Sequence, residues 1–135
     1  MNKINLLLIV LLTGCGTIIT VPIDPTPLSK DKATLILYNE QGFRDDFQLV
    51  VDKEVVGHIS PEKPLKVEIQ PGSHEMYIEL PMLIGHIIRR ITVKTFEAGK
   101  VYYTKLVCRI IPFASDVSIE PSEKITSYKV RSNKS

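Results

Sequence analysis

The chain predicts an all-β fold, an antiparallel β-sandwich of about seven strands. Three observations lead there. Short runs of alternating apolar and polar residues recur at about 8–12-residue spacing, with Pro and Gly between them. No long amphipathic stretch alternates with these runs, as a βαβ arrangement would require. The length suits one domain of ordinary size and not two, and a hydrophobic content of 44% suits a globular domain with a real core.

The elements follow in order. Thr34-Leu35-Ile36-Leu37-Tyr38 is apolar on both faces, as a central strand should be. Asn39-Glu40-Gln41-Gly42 is loop chemistry. Phe47, Leu49 and Val51 then alternate with Asp46 and Gln48, and Asp52-Lys53-Glu54 marks a compact turn before Val55–Ile59. Pro61 and Pro64 bracket a loop. Leu65, Val67 and Ile69 alternate with Lys66, Glu68 and Gln70, the clearest two-residue period in the chain. Gln70-Pro71-Gly72-Ser73 reads as a tight turn, after which His74, Met76, Ile78 and Leu80 share one strand face.

A second long pair is expected from His86–Phe96, a turn at Glu97-Ala98-Gly99-Lys100, and Val101–Ile110. Pro112 ends it, having no N–H for the ladder. Asp116–Glu120 adds a short strand. Ile125 and Tyr128, three apart, allow a short C-terminal helix over Ser122–Lys129. The division is therefore residues 1–14 as a leader, 15–32 as a tether, 33–120 as the β-sandwich domain and 121–135 as a polar, basic tail. The tether reading comes from Pro22, Pro25 and Pro27, which favour extended, semi-rigid geometry. Fully extended, that segment would lift the domain by at most about 60 Å.

The leader has the layout of a secretory signal: Lys3, then an apolar run from Ile4 to Leu12 broken only by Asn5, then small residues. Its end, Leu12-Thr13-Gly14-Cys15, resembles the lipobox of bacterial lipoproteins. In that family the cysteine thiol becomes a diacylglyceryl thioether, the preceding peptide is removed and the new amino terminus is acylated. The resemblance implies a cell-envelope protein whose membrane partner is reached through lipid on Cys15. With Gly16 in place of Asp after the cysteine, it implies the outer membrane, facing the periplasm, in a double-membrane cell. The competing readings are an uncleaved span over Ile4–Val21 and an ordinary secretory signal ending near a cysteine.

Removal of residues 1–14 takes Lys3 with it and lowers the formal charge from +2 to +1. So even a balance predicts no strong field for nucleic acid or anionic lipid. With Cys15 committed to lipid, Cys108 stands alone and the fold needs no disulfide; in its apolar run it reads as a small core residue.

The words Asp52-Lys53-Glu54-Val55-Val56-Gly57, Gln70-Pro71-Gly72-Ser73-His74 and Glu97-Ala98-Gly99-Lys100-Val101-Tyr102-Tyr103 resemble those of PEGA-like domains in bacterial surface lipoproteins. The resemblance spans about residues 33–120 and implies an immunoglobulin-like or transthyretin-like sandwich with no established catalytic residues. Lys53 replaces the usual turn glycine, and the insert Met82–Gly85 departs from the pattern.

Chemistry-bearing residues are sparse. His58, His74 and His86 are isolated and in no metal spacing, and no Gly-x-Ser-x-Gly, phosphate loop or Cys-x-x-Cys is present. Asp45-Asp46 lacks the rest of a calcium pattern. Arg89-Arg90 and Tyr102-Tyr103 each split across a strand's two faces. No catalytic residue, metal site or cofactor is expected. The stretch Pro81–Ile88 stands out instead: Met82, Leu83, Ile84, Ile87 and Ile88 make it apolar enough to cover the core or to contact an envelope partner or lipid. The expected function is a lipid-anchored, non-catalytic binding or scaffolding module. The alternative is a ligand-binding or enzymatic accessory with a site built from loops.

Overall fold

The structure, a computed structural model, describes residues 17–80, 87–112 and 114–132. Among these residues the chain is all-β, with eleven strands and no helix. They are β1 (Thr17–Pro22), β2 (Ala33–Tyr38), β3 (Phe47–Val51), β4 (Glu54–Ile59), β5 (Leu65–Ile69) and β6 (Gly72–Glu79). Then come β7 (Ile87–Arg89), β8 (Thr92–Phe96), β9 (Val101–Ile111), β10 (Ala114–Pro121) and β11 (Ser127–Ser132).

Three sheets stack. A four-stranded sheet, β4-β3-β6-β8, faces a five-stranded sheet, β5-β2-β9-β10-β7, and a two-stranded ribbon, β1-β11, packs on the far side of β2. Pairing is antiparallel except for β2 with β9 and β10 with β7. The main core lies between the two larger sheets. Ala33, Leu35 and Leu37 of β2 meet Phe47, Leu49 and Val51 of β3 and Met76 and Ile78 of β6, with Phe96, Leu106, Val117 and Ile119 filling the rest. Tyr102 closes one margin, its ring edge-on to Phe96 at 4.9 Å. Cys108 packs against this core, and burial raises its thiol pKa.

The opposite face of β2 builds a second core. Ile36 and Tyr38 contact Val21 and Ile23 from the β1 side and Tyr128 and Val130 of β11, with Tyr103 at the margin. Tyr38 and Tyr128 stack at 5.2 Å. The Tyr128 hydroxyl donates to the Pro61 carbonyl, and burial pushes its pKa up to about 12. β2 is thus covered on both faces and paired on both edges, which explains its unbroken apolar run.

Several expectations need correction. There are eleven strands among the described residues: β1 and β11 come from the flanks of the domain, and the other nine lie within it. Residues 17–22 are no tether: they pair along their whole length with 127–132, from Thr17 with Ser132 to Pro22 with Ser127. The rest of that segment is held as well. Lys66 Nζ donates to the Asp24 carbonyl, the Leu28 N–H donates to Thr34 Oγ1, and the Ile23 N–H donates to the Thr126 carbonyl. The helix over 122–129 is absent, since Tyr128, Val130 and Ser132 are buried while Ser127, Lys129 and Arg131 are exposed, a strand's period of two.

The long His86–Phe96 strand is really two. The chain leaves the five-stranded sheet after β7 and enters the four-stranded sheet as β8, pairing with β6 instead of β9. Arg90 marks the crossing: its Nη2 lies 2.7 Å from Asp116 Oδ2 and its Nε donates to Oδ1 at 2.9 Å. The Asp116 carboxylate is nearly buried, so this bidentate pair neutralises a charge that would otherwise be costly there. The Glu97–Lys100 turn therefore links two sheets, with Gly99 at φ +77° and its N–H donating to the Lys32 carbonyl.

Candidate functional site

Cys15 and Met82, Leu83 and Ile84 lie outside the described residues. Ile87 and Ile88 fall in β7, an edge strand paired with Ser115 and Asp116 of β10. The sequence-predicted partner stretch is thus placed by its backbone exit alone.

The four-stranded sheet carries the apolar surface that the sequence reading did not single out. Cross-strand register puts Val50 beside Val55 on one neighbour and Tyr77 on the other, with Glu75 opposite Val93. Paired residues share a face, and the alternate positions Leu49, Val51, Met76 and Ile78 point into the core. The exposed apolar residues of the outward face are therefore Val55 and Val93, with half-buried Tyr77 between them and Ile91 at the entry to β8, while Val50 shares that face but is itself buried. Ile91 is 62% exposed, Val93 64% and Val55 51%. Lys53, Glu75, Tyr77 and Ile91 line an open depression of about 430 Å³ on this face. β8 is also an edge strand. The signal was present in Ile91-x-Val93, but the expected β8–β9 hairpin hid which sheet those residues belonged to.

Two histidine–carboxylate pairs flank the same sheet. At one end, His74 Nδ1 lies 2.5 Å from Asp52 Oδ2 and its Nε2 lies 2.7 Å from the Gln70 carbonyl. Both ring nitrogens face acceptors, so only the imidazolium can donate to both. The bond to Asp52, with the Gln70 carbonyl behind it, raises the His74 pKa against partial burial. In turn the His74 ring, and the Glu75 N–H donating to Asp52 Oδ1, lower that of Asp52. Asp52 sits at φ +49° and Lys53 at φ +69°, the two central residues of a type I′ hairpin turn. The arrangement ties the β3–β4 turn to the β5–β6 turn and is structural in kind.

At the other end, Arg44, Asp45, Asp46, His58, Ile59, Ser60 and Pro61 line a cleft of about 330 Å³. His58 Nδ1 lies 2.9 Å from Asp46 Oδ1, with the two side chains 62% and 67% exposed. The Ser60 hydroxyl accepts the Glu62 N–H at 3.4 Å. An ion pair so open to water contributes little to stability. Among the described residues no group of three or more His, Cys, Asp or Glu is placed to hold a metal ion, and no helix is long and apolar enough to cross a membrane.

Comparison with known proteins returned no matching family model, no matching curated protein and no matching solved structure.

Proposed function

We propose that this protein is a lipid-anchored module of the bacterial cell envelope that binds or scaffolds another envelope component and performs no catalysis. The location rests on Leu12-Thr13-Gly14-Cys15 behind an apolar leader, and the PEGA-like words in the domain favour the same setting. The binding role rests on one observation: the solvent-facing surface of the four-stranded sheet presents Val55, Ile91 and Val93 around Tyr77, with Lys53 and Glu75 at its rim. A sheet face turned to water ordinarily alternates to polar residues, so a contiguous apolar strip on it marks a contact surface.

The anchor is tested by Cys15→Ala. The wild-type chain should fractionate with membranes and carry an acylated amino-terminal cysteine by mass spectrometry. The variant should lose both and accumulate with its leader uncut. A Cys15→Ala protein that still reaches the membrane at mature length would defeat the reading.

A further inference from the structure

The place where the anchor enters the fold constrains how the domain meets a bilayer. β1 begins at Thr17, two positions after Cys15. Two residues of extended chain reach at most about 7 Å. β1 is clamped by β11 along its length and by the buried Val21, Tyr128 and Val130 beneath it, so it does not swing on its own. Given lipid on Cys15, on which this inference rests, the ribbon's first residues are held at the headgroup layer.

The ribbon's outward face has the chemistry for that position. It carries Ile18, Thr20 and Pro22 from β1 and Ser127, Lys129 and Arg131 from β11, with Ile18 opposite Arg131 and Thr20 opposite Lys129. Ile18 is 65% exposed. Two cations and an exposed isoleucine therefore share a face that bears no carboxylate. At its margin Arg44 donates to the Arg131 carbonyl, but that guanidinium is already paired with Glu62 at 2.8 Å. The loop end of the domain beside Arg131 is less suitable, because Asp45, Asp46 and Glu62 gather there with Arg44. We propose that the outer face of the β1–β11 ribbon, centred on Ile18, Lys129 and Arg131, lies against an anionic phospholipid surface. The apolar face of the four-stranded sheet is then on the far side of the domain, two sheet spacings or about 20 Å away, and points toward its partner. Each surface cation favours the docked orientation by about fivefold, an effect that matters because the lipid has already made the encounter intramolecular.

The test uses the mature, lipidated protein carrying Cys108→Ser, reconstituted in vesicles of zwitterionic and anionic phospholipid. A fluorophore is placed at Thr20→Cys on the ribbon or at Thr95→Cys on the outer face of the four-stranded sheet, and nitroxide-headgroup lipids report proximity. Stronger quenching at position 20 than at 95 is expected. That contrast should shrink with high salt in the unaltered sequence, and also in the Lys129→Glu, Arg131→Glu double variant, while vesicle recovery stays the same. Equal quenching at both positions, or more at 95, overturns the docking. So does a position 20 shielded from both lipid and aqueous quenchers, which would place a protein neighbour on the ribbon. Protein that lacks the acyl mass and floats free of vesicles overturns the anchor itself, a separate readout from the quenching contrast.

Discussion

At the level of single residues, one imidazole, that of His74, bridges the Asp52 carboxylate and the Gln70 carbonyl. His74 was an isolated histidine in the sequence, and its partners lie 22 positions upstream and 4 upstream, on two different turns. Its raised pKa means that the charged form stabilises the fold. That contribution is complete below the ordinary histidine value of 6.5 and is lost as pH rises through the higher folded value. Asp52 has the opposite sign: its lowered pKa gives stability above 3.8 that is lost as pH falls through the folded value. Urea midpoints should therefore fall at both extremes, and His74→Gln should remove the decline on the alkaline side. A histidine NMR titration showing His74 at or below 6.5 would contradict this. Lys53 supplies a second test. Its φ of +69° is costly for a side chain and free for glycine. Lys53→Gly should raise stability by about 0.5–1 kcal/mol after the extra chain entropy of glycine is deducted. Thermal melts should show a higher midpoint, and a lower one would mean that the lysine makes a compensating contact.

At the level of elements, legibility followed local pattern. β2, β3, β5 and β6 could be read because their apolar residues alternate or run continuously within one segment, and the Asp52-Lys53, Pro71-Gly72 and Ala98-Gly99 turns carry their own chemistry. β1 and β11 could not. Three prolines and a basic tail conceal a pairing between segments more than a hundred residues apart, and only Val21, Tyr128 and Val130 betray it. The break between β7 and β8 was equally hidden, since no Gly or Pro stands at Arg90-Ile91 and the partner that holds Arg90 there is a carboxylate distant in sequence, Asp116. The ribbon makes a sharp prediction about neighbours in sequence. Tyr128→Ala should cost about 3–5 kcal/mol, as removal of a large buried aromatic does, because it empties the second core against Tyr38. Lys129→Ala, one residue on but facing solvent, should stay within about 0.5 kcal/mol of wild type. Urea denaturation of the two variants separates a strand from a tail, for in a tail both would be neutral.

At the level of the whole molecule, the three layers divide the labour proposed above: a ribbon beside the anchor, a central sheet covered on both faces, and an outer sheet free to bind. The candidate surface was only partly legible. The sequence drew attention to the apolar stretch ending at Ile88, but the strip on the outer sheet draws Val55, Tyr77, Ile91 and Val93 from three strands and the entry to one of them, which no single window brings together. The deciding experiment replaces Ile91 and Val93 with Ser. Both side chains are more than three-fifths exposed, so the double variant loses little buried area, and its urea midpoint should lie within about 0.5 kcal/mol of wild type. If the strip is the contact surface, recovery of any component that co-purifies with the wild type should fall sharply. A collapse of the midpoint would show that the strip is covered by the chain's own residues instead. An unchanged midpoint with unchanged recovery would remove this face from the proposal and return attention to the stretch from Met82 to Ile88.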